Sequence, residues 1–412
     1  MNIDKSYEEK MPEWIGEIPM SWRLSKVRRF FKERLDKVAD IQYPPLSVTQ
    51  LGIVDQLEDV AKSNAGDNRK LVLKNDFVIN SRSDRKGSSG ISPRDGSVSL
   101  INIVLEPQNI NYKFILYLFK SYYFKEEFFR NGKGIHWDLW TTRWENFKNI
   151  QIPIPHEIEQ RLIAKYLDKK IEKFDLLIED MQKKIELLKE KKTALMNQYV
   201  TKGLNLNVPM KNSGIAWMGE IPKHWKLSKL KYELEIHNKK RIPLSAEERG
   251  CRQGSFPYYG STNLIDWVDD YLFDGRHILI AEDGANLVFR NIRLSFIVEG
   301  KFWVNNHAHV LKSKNPRYED FFCELLEQTD FRTFISGSAQ PKLTLESIKE
   351  IPLCVPSENE VVKIISEIVL TNKKFSKILS ALLKKLELLK EYRQSLISSV
   401  VTGKIRITED MI

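Results

Sequence analysis

Three charged residues in the second half of the chain have the types and spacing of a metal-dependent nuclease site. Asp283 follows the strand-like run HILIAE, and Glu299 and Lys301 lie in the later run IVEGK. In such nucleases two carboxylates hold Mg²⁺, and the lysine polarises the attacked phosphate or the water. Glu-x-Lys often arises by chance in a lysine-rich chain, and Asp283-Gly284 is typical of a turn. A self-sufficient metal-dependent DNA nuclease is therefore the alternative hypothesis, not the leading one.

Other catalytic signatures are missing from the sequence. It contains neither a G-x-x-x-x-G-K-[ST] loop nor a G-x-G-x-x-G loop, both of which cradle nucleotide phosphates. The run YPPL at positions 43–46 departs from the Asn/Asp-Pro-Pro-aromatic order of amino-methyltransferases. His307 and His309 are spaced to face one side of a strand, but no cysteine neighbour supplies further metal ligands. We expect neither a catalytic residue nor a metal site in this chain.

A polar loop in the first half has the composition of a nucleic-acid contact. Residues 81–90 have the sequence SRSDRKGSSG and join two strand-like runs. Arginine can bind guanine through two hydrogen bonds, and serine and lysine can hold phosphates. The candidate DNA-binding residues of this loop are Arg82, Arg85, Lys86, Ser88 and Ser89. The alternative interpretation is a flexible polar surface loop.

Two further segments, in the second half, offer comparable groups. Asn305, Asn306 and His307 can hydrogen-bond to base edges, and the asparagine amide suits adenine in particular. Gln340 and Lys342 follow a Gly-Ser pair and resemble a second contact loop. A packed strand face and a structural turn are the respective alternatives for these two segments.

Composition favours a polyanionic partner and a reducing compartment. The 412 residues carry a formal net charge of +10, with a pI near 9.2, which favours nucleic acid over an anionic membrane. No run approaches the ~18 uncharged apolar residues of a membrane span, and the N-terminal residues are too polar for a secretory signal. Three widely spaced cysteines, Cys251, Cys323 and Cys354, make a disulfide framework impossible. We expect a cytoplasmic protein with no membrane partner.

Two blocks of the sequence are each repeated, and together they form a frame that must position the candidate residues. Residues 14–26 are WIGEIPMSWRLSK, residues 217–229 are WMGEIPKHWKLSK, and nine of the thirteen positions are identical. A second block, residues 150–200, aligns without gaps to residues 351–401 at an offset of 201. Because such a period indicates two copies of one unit, the sequence predicts two halves of similar architecture.

The second repeated block has the pattern of a long coiled-coil helix. Apolar residues alternate at spacings of four and three, and a basic residue, Lys192 or Arg393, interrupts each copy. A helix of ~43 residues would be ~65 Å long and needs a partner for its apolar stripe. We predict that the two copies pair with each other as an antiparallel coiled coil. The first copy of the predicted seam is Ile171, Phe174, Ile178, Met181, Ile185, Leu188, Leu195 and Tyr199, and the second is Asn372, Phe375, Leu379, Leu382, Leu386, Leu389, Leu396 and Val400.

The two segments between the repeats, about 27–145 and 230–346, share a layout but not a sequence. Each begins with strand-like runs, continues with an amphipathic helix and ends in a glycine-containing loop. This pattern predicts an α+β fold used twice. The predicted domains are residues 1–155 and 206–356, with the spacer helices at 156–205 and 357–412.

These features together resemble the specificity (S) subunits of type I restriction–modification systems. The resemblance covers essentially the whole chain, and it depends on the repeats in their order. Its motifs are W-x-G-E-I-P-x-x-W at 14–22 and 217–225, EQRLIAKYLD at 159–168 and LLKEYRQSLISSVVTGKI at 388–405. EDGANL at 282–287, VNNHAHVL at 304–311 and GSAQPKLTL at 337–345 resemble one class of target-recognition domain. The second helix start, SENEVVKIISEI, lacks the Glu159-Gln160 pair of the first, so either its packing or its contact with a methyltransferase subunit is expected to differ.

The resemblance implies a non-catalytic, sequence-specific DNA-binding subunit. It implies that two target-recognition domains each bind one half of a bipartite, asymmetric sequence in double-stranded DNA. The helices would space these domains and dock two methyltransferase (M) subunits, and restriction (R) subunits would complete an ATP-dependent endonuclease. This chain would hold no cofactor, because S-adenosylmethionine, ATP and Mg²⁺ belong to the partner subunits. Half-sites ~10 bp apart, centre to centre, would lie on one face of the duplex.

Overall fold

The chain divides into two compact units, each of which includes part of both long helices. The computed structural model describes residues 12–56, 66–136, 140–337 and 340–412. Unit 1 comprises Met1–Gln182 and Lys384–Ile412, and unit 2 comprises Lys183–Leu383. The first long helix spans Glu157–Lys202 and the second spans Glu358–Val401. The α+β prediction with two long paired helices is confirmed.

Unit 1 is built on short antiparallel strands. They are β1 (Arg23–Lys26), β2 (Phe31–Glu33), β3 (Lys37–Val38), β4 (Leu46–Val48), β5 (Ile53–Asp55), β6 (Arg69–Val72), β7 (Phe77–Asn80), β8 (Ser89–Ile91), β9 (Gly96–Val98), β10 (Asn102–Pro107) and β11 (Gln151–Ile154). They form a four-stranded sheet β2-β10-β7-β8, a three-stranded sheet β3-β6-β9 and the pairs β1-β11 and β4-β5. The strand after Trp22, β1, pairs with β11, the strand before the long helix. We call this pair, which joins the two ends of the module, the bracket.

The amphipathic segment after β10 forms two helices instead of the predicted single one. They are α1 (Tyr112–Lys120) and α2 (Tyr122–Arg130), and a short α3 (Trp144–Phe147) follows. The break lies at Ser121, whose backbone is extended and whose hydroxyl accepts a hydrogen bond from the amide of Phe124. A serine that competes in this way for backbone groups favours a helix boundary. Both helices still bury their apolar faces, with Phe119 and Phe124 stacked at 4.2 Å between ring centroids.

Unit 2 contains the remaining strands and the helices α5–α9. The strands are β12 (Met210–Asn212), β13 (Glu220–Pro222), β14 (Lys226–Lys229), β15 (Leu234–Ile236), β16 (Gln253–Tyr259), β17 (Leu264–Val268), β18 (His277–Ala281), β19 (Ser295–Val298), β20 (Trp303–Val304), β21 (Ala308–Ser313), β22 (Ile335–Ser336), β23 (Lys342–Leu343) and β24 (Pro352–Val355). With the long helices named α4 and α10, the others are α5 (Leu230–Glu233), α6 (Ala246–Cys251), α7 (Asn286–Phe289), α8 (Glu319–Gln328) and α9 (Leu345–Lys349).

The two units share a sheet topology although their sequences differ. The four-stranded sheet of unit 2 has the order β15-β21-β18-β19, which matches β2-β10-β7-β8 strand for strand along the chain. The bracket recurs as β14-β24, with Lys226 opposite Val355 as Arg23 is opposite Ile154. The three-stranded sheets differ, because β16 and β20 of unit 2 run parallel, whereas β6 of unit 1 has two antiparallel neighbours.

The predicted seam residues line the contact between α4 and α10. In unit 1, Arg393 of α10 donates to Asp175 of α4 at 2.8 Å, and Tyr392 lies edge-on to Phe174. In unit 2, the hydroxyls of Tyr199 and Thr371 lie 3.4 Å apart. Residues near the start of one helix thus meet residues near the end of the other, which is the antiparallel arrangement. None of the predicted seam residues is exposed, and the buried ones are Ile171, Met181, Ile185, Phe375, Leu386, Leu396 and Val400.

Each unit is closed by the repeated tryptophan motif against the end of a long helix. In unit 1, the end of α10 packs on Trp14 and Trp22 in one core cluster with Val400 and Val401. In unit 2, the end of α4 packs on Trp225 in the same way. A glycine with positive φ follows the end of each helix, Gly203 after α4 and Gly403 after α10. A side chain at Gly403 would clash with Pro19. Within the described residues, no helix is long and apolar enough to cross a bilayer.

Candidate nucleic-acid interface

The arginines of the 81–90 loop are exposed in unit 1. The loop joins β7 to β8 through a 3-10 turn at Ser83–Arg85. The side chains of Arg82 and Arg85 are 44% and 63% exposed. Their Nε atoms lie 3.0 and 3.8 Å from the carboxylate oxygens of Asp84. Because one carboxylate faces two guanidinium groups, the loop keeps a net positive charge that can attract phosphate.

The other three predicted residues of this loop are less available to a ligand. The ammonium of Lys86 pairs with Glu126 at 2.7 Å and lies over the ring of Phe129. Ser88 and Ser89 are buried, and Ser89 belongs to β8, opposite Ile79. The sequence pattern did not distinguish exposed from buried loop positions, since that depends on how β8 pairs with β7.

Two adjoining grooves surround Arg82 and contain basic residues that the sequence analysis missed. One groove, of about 500 Å³, is lined by Arg69, Asn80, Arg82 and Arg85, among others. The second, of about 580 Å³, is lined by Arg82, Lys70 and Arg143, among others. Arg69, Lys70 and Arg143 lie outside the loop in sequence, and no local motif marks them.

In unit 2 the structure brings three predicted segments together. The turn after β18 contains Asp283, which forms an isolated β-bridge with Lys342. The carboxylate of Asp283 also contacts Nδ1 of His307 at 2.8 Å. Asn306, His307, Gln340 and Lys342 are exposed around this turn, whereas Asn305 is buried and its Oδ1 accepts from the amide of His307. Asn305 therefore shapes the segment, and its neighbours present groups to a ligand.

Glu282 holds this cluster together beneath the surface. Arg241 donates to its Oε2 at 2.5 Å, and the ammonium of Lys342 lies 3.3 Å from its Oε1. Burial by itself would raise the pKa of Glu282, but the hydrogen bond from Arg241 and the neighbouring positive charges hold that pKa below its usual range. Arg241 also donates to the backbone oxygen of Ala308. It is a positioning residue that the sequence did not reveal.

The two histidines of this cluster do not share a site. His309 is buried within β21, where its Nε2–H donates to the backbone oxygen of Leu343 and its Nδ1 accepts from the amide of Asn238, both at 2.7 Å. Burial lowers the pKa of His309, which keeps the ring neutral at pH 7. His307 is half exposed and faces Asp283. Among the described residues there is no group of three His, Cys, Asp or Glu side chains that could hold a metal ion.

The three residues of the nuclease hypothesis are not assembled. Strands β18 and β19 are antiparallel, with His277 opposite Val298, so Asp283 and Glu299 follow opposite ends of this strand pair. At about 3.3 Å per residue, that places them on the order of 20 Å apart. Lys301 lies over the ring of Tyr271 at 4.5 Å. The alternative hypothesis of a nuclease has no support in this geometry.

A protein-family model matches the chain twice. The model describes the type I restriction modification DNA specificity domain, and it matches residues 24–188 and 222–397. The two matches cover most of each recognition module, and they also include most of both long helices.

Individual relatives match shorter stretches. The chain is 36% identical over 133 residues to the protein assigned as type I restriction enzyme specificity subunit S.HindORF215P in Haemophilus influenzae, covering 32% of this chain and 34% of that protein. It is 31% identical over 255 residues to the type I restriction enzyme MjaVIII specificity subunit of Methanocaldococcus jannaschii, covering 58% of this chain and 55% of that protein. The chain thus spans about a third to just over half of the length of these relatives.

One solved structure has a closely similar fold. It is a chain from a study of complex assembly and conformational transition in a type I R-M system, and it superimposes with a TM-score of 0.71. The superposition covers 94% of this chain and 100% of that chain at 11% sequence identity. At that identity the match shows a shared fold and nothing further.

Proposed function

Because the chain belongs to the family of type I restriction modification DNA specificity domains, we propose that it is the sequence-specific DNA-binding subunit of a type I restriction–modification complex. Each recognition module binds one half of a bipartite, asymmetric target in double-stranded DNA. The observation that carries this proposal is the contrast between a repeated frame and two unlike polar surfaces. The sheet topology, tryptophan motif and long helix occur twice, whereas the exposed contact groups differ.

The unlike surfaces support two different half-sites. Unit 1 offers the guanidinium groups of Arg82 and Arg85, which suit guanine edges and phosphates. Unit 2 offers an amide, an imidazole and an ammonium from Asn306, His307 and Lys342. Groups of such different donor and acceptor character favour different bases, so the two half-sites are expected to differ in sequence.

The repeated frame supports a partner that is present in two copies. The β1-β11 bracket and its equivalent β14-β24 have the same register, and each long helix begins directly after its bracket. A frame with two equivalent faces can bind two identical subunits. The proposed partners are two methyltransferase subunits, with restriction subunits joining the complex, and these partners supply the chemistry and its cofactors.

Methylome sequencing of the host with and without this gene tests the proposal. A bipartite methylated motif that disappears with the gene is the expected result. Loss of no motif, or of a single uninterrupted motif, would contradict the assignment of one half-site to each module.

Purified chain mixed with plasmid and Mg²⁺ tests the absence of catalysis. We expect salt-sensitive DNA binding and no cleavage, because Asp283, Glu299 and Lys301 are not assembled. Cleavage without partner subunits would restore the nuclease hypothesis.

A further inference from the structure

Arg69 is a buried cation at the edge of the groove in unit 1. It begins β6, the central strand of the sheet β3-β6-β9, and only 6% of it is exposed. Its Nε donates to the hydroxyl of Ser97 at 2.8 Å, and its Nη2 donates to the backbone oxygen of Ser97 at 3.1 Å. The hydroxyl of Ser97 donates in turn to the backbone oxygen of Tyr43, so the side chain of Arg69 is held in one orientation.

The guanidinium of Arg69 forms no ion pair with any carboxylate in the described part of the chain. Burial lowers the pKa of Arg69, and the opposing charge of Asp40 acts from beyond ion-pair distance. Two arginines that are less deeply buried are paired, since Arg34 contacts Asp76 and Arg241 contacts Glu282. Burying a charge without a partner lowers the stability of the fold. Its burial here is explained if an anion binds beside it.

The orientation of Arg69 leaves one edge of the guanidinium open. Ser97 occupies the edge formed by Nε and Nη2, so Nη1 and the second hydrogen of Nη2 form a free two-pronged donor. A fork of this kind matches two oxygens of one phosphate. Arg69 lines the groove of about 500 Å³ together with Gln50, Asn80, Arg82 and Arg85.

We propose that Arg69 binds a phosphate of the DNA backbone, with Arg82 and Arg85 at the rim of the same groove. This inference rests on the proposed function. A phosphate is favoured over a base edge because an unpaired buried cation requires a negative charge, and because the backbone is the convex part of DNA that enters a groove. The rim supports this, since its two arginines share the single carboxylate of Asp84.

The test compares the binding of the full chain and of Arg69→Gln to two fluorescein-labelled duplexes of unrelated sequence. We expect binding about tenfold to a hundredfold weaker, because one charge-assisted contact is lost. We also expect the slope of log affinity against log salt to fall in magnitude by about one. The melting temperature of the free variant should be unchanged or raised, because an unpaired buried charge has been removed.

Two further variants serve as controls. Arg94→Gln makes the same charge change at an exposed arginine that is paired with Asp55 and does not line the groove; its slope should match that of the wild type. Arg69→Lys keeps the positive charge without the fork, so the wild-type slope should be retained with weaker affinity.

An unchanged slope in Arg69→Gln would overturn the phosphate assignment, and a change confined to discrimination between duplex sequences would do so as well. An Arg69→Gln variant that no longer folds would also overturn it, since the guanidinium would then be required by the fold itself. If the wild-type chain shows no salt-dependent DNA binding, that result contradicts the proposed function itself. Normal wild-type binding with an unchanged slope in Arg69→Gln contradicts only the phosphate assignment.

Discussion

Glu360 shows how one position of the repeated frame is used differently in the two units. It lies at the third position of α10, where its Oε2 accepts from the amide of Ser357, the residue that precedes the helix. Its Oε1 accepts from the indole N–H of Trp225 at 3.2 Å and contacts His224 at 2.9 Å. In unit 1 the equivalent indole N–H, that of Trp22, has no partner among the described residues.

The start of α4 is held by Gln160, whereas the start of α10 is held by Glu360. Gln160 is buried; it accepts from the amide of Asn111 and donates to the backbone oxygen of Pro155, both at 3.0 Å. The equivalent residue in unit 2 is Val361, which is fully buried in the apolar core. The two helix starts therefore do differ, as their sequences predict, and each one ties its helix to its own module.

Replacing Glu360 by alanine should lower the free energy of unfolding by about 1–2 kcal/mol at pH 7, because a cap and the acceptor for a buried indole are lost. Burial by itself would raise the pKa of Glu360, but hydrogen bonds from His224, Ser357 and Trp225 lower it to about 2. A depressed carboxyl pKa stabilises the fold above its ordinary value near 4.5, and this contribution is lost as the pH falls towards 2. Urea unfolding at pH 7 and pH 3 measures the difference, which should be smaller at pH 3.

The matched control for Glu360 is Glu409→Ala, at an exposed glutamate near the C-terminus. It should change the unfolding free energy by less than about 0.5 kcal/mol at either pH. An equal effect of the two variants at pH 7 would show that the capping contacts of Glu360 contribute nothing.

Within the 81–90 loop, Arg85→Ala should weaken DNA binding more than Lys86→Ala. Arg85 is the more exposed residue and shares Asp84 with Arg82, whereas Lys86 is already paired with Glu126 and packed on Phe129. We expect a loss of about tenfold for Arg85→Ala and little change for Lys86→Ala. Fluorescence anisotropy with a labelled duplex at one fixed salt concentration gives the comparison, and the reverse order would contradict the accessibility argument.

At the scale of elements, the long helices depend on their paired faces. Their sequences are rich in lysine and glutamate outside the seam, and the ion pairs between adjacent turns, such as Lys189 with Glu186, are exposed. Such pairs contribute little. Most of the stability of α4 and α10 must therefore come from the apolar residues between them and from the cores that their ends enter.

The variant Ile185→Ala tests this directly, because Ile185 is only 3% exposed in the seam. It should lower the free energy of unfolding by about 2–4 kcal/mol, from lost burial and the cavity left behind. Leu187→Ala is the control on the same turn, since Leu187 is 62% exposed and should cost less than about 0.5 kcal/mol. Thermal unfolding followed by circular dichroism at 222 nm distinguishes them, and equal losses would exclude a specific seam.

For the whole molecule, a frame that occurs twice carries two modules of different surface chemistry. Under the proposed function, the modules choose the bases and the helices set the distance between half-sites. The net charge of +10 acts on the entire chain and favours DNA of any sequence. Under the proposed function, discrimination between sequences therefore comes from the exposed groups of the two modules.

Inserting four residues after Met181 and four after Leu382 should change the gap between half-sites without changing the bases. The insertions add about one helical turn to each helix, so both helices are lengthened by the same amount. Methylome sequencing of a strain that carries the altered gene provides the measurement. An unaltered gap would show that the helices do not set the spacing, and altered bases would show that the modules are not independent of them.

Local patterns in the sequence were sufficient to predict the repeated frame. The tryptophan motifs, the spacing of apolar residues in the helices and the prolines before them predicted two α+β modules and an antiparallel helix pair. These features were predictable because helix periodicity and chain breaks depend on residues within a few positions of one another. The break at Ser121 was missed, because the apolar pattern continues through it.

Only the tertiary structure decided which polar residues are available to a ligand. Ser88, Ser89 and Asn305 are buried, and Asp283 and Glu299 lie at opposite ends of a strand pair. Arg69 and Arg241 join sites although they lie outside the segments that the sequence predicted. The end of α10 also closes unit 1 against Trp22. Strand register and burial depend on the summed packing of residues far apart along the chain. The sequence by itself therefore determined the repeated frame, and long-range packing determined the surfaces that differ.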